Sequence, residues 1–256
     1  MLKRVTRLFK AISDPSIRAQ MGFNCLRRTG AWIAPWYRFQ WGQFDWWHNH
    51  RFNQYLQRFD ELEAMNSDRH WTLFQLTRLA ASVPGDTAEC GVFRGASSYL
   101  ICRSFKSYSS CRRTHFVFDS FEGLSEPQTL DGRHWTKGNL TCDLDAVKRN
   151  LQEFDNISWH KGWIPKRFAD AADRRFSFVH IDVDLYQPTR DSIQFFYPLM
   201  NTGGIIVCDD YGFTTCPGAT RAVDEFLADK PEKMIALPCG GGFFIKGCRT
   251  ALAPDV

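Results

Sequence analysis

FSFVHIDVDLYQPTRDSIQFFYPLMNTGGIIVCDD, residues 176–210, decides the fold. An apolar run rich in β-branched and aromatic residues, FSFVHIDV, carries Asp182 and leads into Asp184. A helical pattern follows through SIQFFYPLM, and a second apolar run, GGIIVCDD, ends in Asp209 and Asp210. Strand, helix and strand in that order form a crossover unit, which makes the two strands parallel. Both carboxyl ends then open on one edge of the sheet, where ligands of open α/β sheets bind. Four carboxylates are expected to converge there.

The same alternation extends outward. Upstream, TAECGV (87–92), HFVFDS (115–120) and NISWHK (156–161) read as strands, and ASSYLICRSF (96–105), DLDAVKRNLQEF (143–154) and the short PKRFADAA (165–172) as helices. Downstream, ATRAVDEFLADK (219–230) is a helix. EKMIALP (232–238) and GGFFIKG (241–247) are strands with no helix between them, joined through Pro238-Cys239-Gly240. The expectation is a doubly wound α/β domain over residues 66–256. Its mostly parallel seven-stranded sheet closes with an antiparallel C-terminal hairpin. Helical patterns near 51–65 and 68–82 precede it, the second ending at the Pro84-Gly85 turn.

Residues 1–65 form a helical, aromatic-rich extension in this reading. Between Trp32 and Trp47 stand Trp32, Trp36, Tyr37, Phe39, Trp41, Phe44, Trp46 and Trp47. They suit a packing surface better than a pocket that stacks on a sugar ring. In MLKRVTRLFKAI, Leu2, Val5, Leu8 and Phe9 share one helical face and Lys3, Arg4, Arg7 and Lys10 surround the other. An ordinary amphipathic terminal helix is preferred over a weak peripheral membrane contact, and a secretory signal is not expected.

Composition narrows the partners. With 32 Lys and Arg against 28 Asp and Glu, the net charge of +4 is too mild to indicate a nucleic-acid partner. No stretch has the roughly 20 apolar residues of a membrane span. The nine cysteines form no C-x-x-C pair, and Cys90 and Cys208 sit in apolar runs. Buried free thiols in a reducing cytoplasm are expected.

Four constellations carry chemistry. In TAECGVFRGASS (87–98), Gly91 and Gly95 let a ligand approach the backbone, and Glu89 can accept hydrogen bonds from a cationic amino group. The spacing is G-x-x-x-G, not the dinucleotide G-x-G-x-x-G. A plain strand-to-helix turn is the alternative. In FVFDSFEGL (116–124), Asp119 ends a strand where a carboxylate can bind both ribose hydroxyls, or can cap a helix. In HKGWIPKRF (160–168), Gly162 and Trp163 can flank an adenine ring or form a packed turn. The fourth is the pair of acid pairs, Asp182 with Asp184 and Asp209 with Asp210. Like charges this close call for a proton or cation, and all-oxygen donors favour a hard ion such as Mg²⁺. Such an ion could lower the pKa of a bound hydroxyl, with a neighbouring carboxylate taking the proton.

Taken in order, AECGVFRGASS, FDSFEGLSEP, KGWIP, HIDVDLYQPT, PLMNTGGIIVCDDYG and GATRAVDEF resemble the macrocin-O-methyltransferase-like (TylF-type) family. These are class I methyltransferases that modify sugar hydroxyls of natural products. The resemblance runs from about Ala88 to about residue 246. It implies S-adenosylmethionine as cofactor, with Glu89, Gly91 and Gly95, and Ser97 of the same motif, at its methionine end. It puts Asp119 and Ser120 at the ribose, and Gly162 and Trp163 near the adenine. Asp182, Asp209 and Asp210 become the implied Mg²⁺ ligands, and Asp182 or Asp184 the general base. A homo-oligomer is implied as well. HIDVDLYQPT departs from the family's usual R-x-D-G-D-x-Y-E-S-T: His180 replaces a basic residue, Gln187 an acid and Pro188 a small hydroxyl residue. Phe93 stands where many members carry Trp or Tyr.

The leading expectation is a Mg²⁺-dependent O-methyltransferase acting on a sugar hydroxyl of a glycoside, glycolipid or glycosylated natural product. The alternatives are a catechol-type phenol methyltransferase, an NAD-dependent oxidoreductase and a non-catalytic scaffold. The absence of a Lys from HIDVDLY counts against the first alternative. The missing G-x-G-x-x-G counts against the second, and the presence of every proposed cofactor and metal position against the third.

Overall fold

A computed structural model describes residues 15–36, 44–64, 66–108 and 112–251. The basic N-terminal face and Tyr37, Phe39 and Trp41 lie outside the described residues. Two compact units divide between Gln54 and Tyr55.

The first unit contains α1 (Pro15–Ile33) and a 3-10 turn over Asp45–His48. Trp46 packs edge-on against Trp47 and Phe52, with ring centroids 6.1 and 5.9 Å apart. Trp32 and Trp36 are exposed. Helix α2 (His50–Arg58) carries the chain into the second unit.

In the second unit the elements run α3 (Ser67–Leu79), β1 (Asp86–Cys90), α4 (Ala96–Tyr108), β2 (His115–Asp119), α5 (Leu144–Asn150), β3 (Ile157–Lys161) and β4 (Phe176–Ile181). Then come α6 (Tyr186–Phe196), β5 (Met200–Cys208), α7 (Pro217–Leu227), β6 (Ile235–Ala236) and β7 (Gly242–Ile245). The sheet order is β3-β2-β1-β4-β5-β7-β6. β1 to β5 are mutually parallel, and β7 is antiparallel to both β5 and β6. The expected doubly wound seven-stranded sheet with its closing hairpin is therefore present.

Several boundaries differ from the sequence reading. Helix α6 starts at Tyr186, directly after the acids, and its last turn tightens to a 3-10 turn at Tyr197–Leu199, where Pro198 cannot continue an α-helix. PKRFADAA yields a 3-10 turn at Phe168–Ala171, and β6 has two residues. Helix α5 stops at Asn150, begun by an Asp143 side chain that accepts from Ala146 N–H at 2.8 Å.

The core explains the long apolar runs. All six residues of β4 are buried, as befits a strand covered on both faces. Phe118, Phe168, Phe176 and Phe196 meet in a cluster of edge-on ring pairs with Val179, Ile206 and Phe244. The thiols of Cys90 and Cys208 are free and buried, and burial pushes both well up. Among the described residues, no helix is long and apolar enough to cross a membrane.

Candidate active site

Strand register builds the site. Cys90 lies opposite Phe118 and Ile181, and Ile181 opposite Cys208. The next residue of each strand therefore falls on one row: Asp119, Gly91, Asp182 and Asp209. Backbone bonds continue the ladder along that row, from Gly91 N–H to Phe118 O at 3.0 Å, Asp182 N–H to Cys90 O at 2.9 Å and Asp209 N–H to Ile181 O at 2.8 Å. The chain winds outward from β1 to β3 and returns to β4, so the strand order reverses between β1 and β4. A cavity of about 550 Å³ opens there, within the range of small-molecule sites.

Of the expected site residues, Gly91, Ser97, Asp119, Ser120, Trp163, Asp182, Asp184 and Asp210 line this cavity. Gly91 has φ +79°, and a Cβ on it would come within 1.7 Å of the Asp182 carbonyl oxygen. Only glycine fits where β1 and β4 approach this closely. Gly95 does not line the cavity; at φ +89° a Cβ on it would meet Val147 and Leu151 at 3.2 Å. Gly162 continues the β2–β3 ladder, donating to Asp119 O at 2.9 Å, and leaves the cavity wall to Trp163.

Asp119 is fixed by backbone donors on both oxygens. Its Oδ2 accepts from Val92 N–H at 2.7 Å and its Oδ1 from Phe121 N–H at 2.6 Å. Burial nevertheless pushes its carboxyl above the ordinary value. Ser120 Oγ accepts from Glu122 N–H at 3.0 Å and so shapes the following turn.

Glu89 is placed differently from the expectation that it meets a cationic amino group. It is fully buried and does not line the cavity. Its Oε2 accepts from Ser98 Oγ, and its Oε1 lies 2.7 Å from His180 Nδ1. Register puts Glu89 and His180 side by side on adjacent strands. Beyond Ser98, His115 Nε2 lies 3.1 Å from that hydroxyl, and His115 Nδ1 2.9 Å from Thr87 Oγ1. Burial opposes the Glu89 charge, yet His115, 3.9 Å from Oε2, and the hydrogen-bonded His180 hold its pKa down at about 2.

The acids separate into two groups. Ligand atoms of His180, Asp182 and Asp209 lie within 4.8 Å of one another, and so do those of Asp184, Asp210 and Cys216. Asp210 was expected with Asp182 and Asp209 as a metal ligand, but its Oδ2 is already engaged by the backbone. It accepts from Asp184 N–H at 2.7 Å and Val183 N–H at 3.1 Å. These bonds clamp the turn that holds Asp184 at φ +60°, a left-handed conformation uncommon outside glycine.

Electrostatics sorts the same four carboxyls. Burial, then Asp209 and Asp210, pushes Asp182 well above the usual range. Burial, then Asp184 and Asp209, does the same to Asp210. Burial, then Asp182, raises Asp184 to about 7. Asp209 goes the other way: burial opposes its charge, but Arg69 and then His180 hold it at about 2. Arg69 Nη2 pairs with Asp209 Oδ2, and its guanidinium lies 5.3 Å from the Phe213 ring centre. Burial alone would weaken the Arg69 charge, and Asp209 more than restores it.

Sequence reasoning missed Arg69, along with Glu61 and His70, which also line the cavity and face each other at 3.3 Å. One signal was available. It was weak: Arg69 stands in the first turn of α3, where the helix dipole disfavours a cation, but Asp68 of the same turn already offers an anion. Trp135 and Leu140, from the long β2–α5 connection, complete the wall, and Trp135 Nε1 reaches Cys216 Sγ at 3.3 Å.

The geometry can be set beside known proteins. One relative is the 8-demethyl-8-(2,3-dimethoxy-alpha-L-rhamnosyl)-tetracenomycin-C 4'-O-methyltransferase of Streptomyces olivaceus. The match is 31% identical over 57% of this chain, and spans only 60% of that protein's length. The demethyldecarbamoylnovobiocin O-methyltransferase of Streptomyces niveus is 27% identical over 77% of this chain and 83% of its own. The solved O-methyltransferase NovP superposes with a TM-score of 0.56 at 27% identity, covering 70% of this chain and 79% of that one. A model of the macrocin-O-methyltransferase (TylF) family matches residues 73–238, which contain every residue of the β1–β5 row. The chain belongs to the macrocin-O-methyltransferase (TylF) family.

Proposed function

We propose that this chain is an S-adenosylmethionine-dependent O-methyltransferase that uses a divalent ion such as Mg²⁺ and acts on a sugar hydroxyl of a glycosylated small molecule. One observation carries the reading: Asp119, at the end of β2, and the crowded carboxyls of Asp182, Asp184 and Asp210 line one cavity at the strand-order reversal. A relative named as the 4'-O-methyltransferase of a rhamnosyl-bearing tetracenomycin supports the acceptor class.

The donor set suits both groups. Asp119 keeps lone pairs free beyond its two backbone donors and can accept from paired ribose hydroxyls. Gly91 leaves room for close backbone approach, and Trp163 and Ile164 give an apolar wall for a flat ring. Asp182 and Asp209, with Asp210 or Asp184 adjacent, offer hard oxygens for a divalent ion. When bound, S-adenosylmethionine supplies a sulfonium methyl group, and the ion supplies Lewis acidity toward the acceptor hydroxyl.

This chain's own residues orient the reactants and handle the proton. Asp184, with its carboxyl near neutrality, accepts the hydroxyl proton at a carboxylate oxygen. Positioning by the rigid strand row supplies much of the rate. Leu124, Trp135 and Leu140 give the same cavity apolar surface.

The test is calorimetric titration of S-adenosylhomocysteine and Mg²⁺ into the protein, with and without chelator, followed by turnover on a glycoside panel. Cofactor binding together with ion-dependent release of S-adenosylhomocysteine is expected. Saturable NADH binding without S-adenosylhomocysteine binding would overturn the reading.

A further inference from the structure

Among the described residues, one buried ring nitrogen faces the acid cluster with no contact closer than ion-pair distance. It is Nε2 of His180, a residue that is 1% exposed. The ring is fixed from its other side. His180 Nδ1 lies 2.7 Å from Glu89 Oε1, and an ionised carboxylate only accepts, so Nδ1 carries the proton of that bond. Glu89 is held in turn by Ser98 Oγ, which donates to its Oε2. The His180 ring is therefore oriented with Nε2 toward the cavity acids, ending 3.5 Å from Asp209 Oδ1.

The surrounding spacing suits an ion. Ligand atoms of His180, Asp182 and Asp209 fall within 4.8 Å of one another. Donors sharing one small divalent ion, each about 2.1 Å from it, stand roughly 3 to 4.2 Å apart, so a small adjustment closes the set. Arg69 holds Asp209 Oδ2, which leaves the Oδ1 side facing His180. A carboxylate behind one ring nitrogen, with the other nitrogen aimed at anionic ligands, is how proteins orient metal-bound histidines.

We infer that the divalent site of this chain is a mixed nitrogen–oxygen centre in which His180 Nε2 joins Asp182 and Asp209, taking a first-row transition ion such as Mn²⁺ in preference to Mg²⁺. The inference rests on the reading that the acid cluster serves a metal, and adds a nitrogen ligand and an ion class to it. Imidazole suits transition ions, whereas Mg²⁺ prefers oxygen and keeps its waters. Any proton on Nε2 leaves as the ion binds. Glu89 becomes a positioning residue for the metal ligand, which accounts for its burial away from the cavity.

The test uses the full chain labelled with ¹⁵N-histidine, loaded with Mn²⁺ and read by pulsed electron paramagnetic resonance, beside calorimetric titrations of Mn²⁺ and Mg²⁺. Expected are a histidine nitrogen coupling to Mn²⁺ and binding at least about tenfold tighter for Mn²⁺ than for Mg²⁺. H180Q should abolish the coupling and weaken Mn²⁺ about 10- to 100-fold, with S-adenosylhomocysteine binding retained as evidence of folding. The wild-type spectrum decides the question even if H180Q does not fold. Bound Mn²⁺ without histidine coupling overturns the inference and leaves the oxygen-only metal reading standing. So does a coupling that survives in H180Q, since His70 lines the same cavity. If neither ion binds, the inference and the metal reading fall together.

Discussion

The two edges of one sheet treat charge in opposite ways. At the amino-terminal edge, Arg113 is buried but spends its donors on fixed acceptors. They reach Val83 O at 2.7 Å, Gly85 O at 2.8 Å, Ala81 O at 2.8 Å and Ser177 Oγ at 2.5 Å. Asp86, beside it, accepts from Thr114 N–H at 2.8 Å and from Arg174 Nε, also at 2.8 Å. At the carboxyl-terminal edge, Asp182, Asp184, Asp209 and Asp210 face one another with Arg69 paired to one of them. The first edge is self-satisfied and holds the fold. The second crowds carboxyls together, and burial and mutual repulsion push three of the four toward their protonated form.

Substitutions can break that contrast. The largest effect is expected for D209N/D210N, which removes two carboxylates from the carboxyl-terminal edge. Turnover should fall about a thousandfold, roughly 4 kcal/mol of barrier, as read by S-adenosylhomocysteine release. A variant with near-normal turnover would show that the cluster is not part of the chemistry. R113M at the other edge should lower stability by about 3 kcal/mol in urea melts, because buried carbonyls lose their donor. Cofactor affinity of the folded protein should stay the same. A drop in affinity at constant stability would merge the two edges into one functional unit.

Smaller effects sharpen the contrast. D119N keeps one acceptor oxygen for the backbone donors but puts an amide where the other Oδ accepts from Val92 or Phe121 N–H. S-adenosylhomocysteine affinity should fall about tenfold, near 1.4 kcal/mol, by calorimetry. Unchanged affinity would remove Asp119 from the nucleoside site.

Asp184 gives a pH signature. Its carboxyl sits at about 7 against an ordinary 3.8, so the folded state binds a proton that the unfolded state releases. The stability this contributes is complete below about pH 4 and lost as the pH rises through 7. In chelator, the wild type should lose stability relative to D184N across that window, by no more than about 1.4 kcal/mol per pH unit. Parallel pH curves for the two proteins would show that Asp184 is not under strain from its neighbours.

Much of the architecture was already legible. Apolar runs ending in glycine or aspartate, separated by helical patterns, specified the strand succession and the closing hairpin. Because parallel strands end on one edge, they also specified that Asp119, Asp182 and Asp209 would share it. Element ends were less legible. Pro198 cut α6 short of Met200, and the reach of DLDAVKRNLQEF beyond Asn150 depended on packing rather than propensity.

The sequence by itself determined which acids stand at strand ends, since periodicity and chain order fix the side and edge of each. Only the tertiary structure decided what each polar group meets. Glu89 and His180 are 91 positions apart and become neighbours through register, and Arg69 reaches Asp209 from 140 positions away. Such pairings carry no local pattern, because a buried charge is neutralised by whatever group the fold brings beside it. For that reason Glu89, whose motif suggested a ligand contact, proves to orient a histidine. The cation beside Asp209 comes from the first turn of a helix outside every recognisable motif.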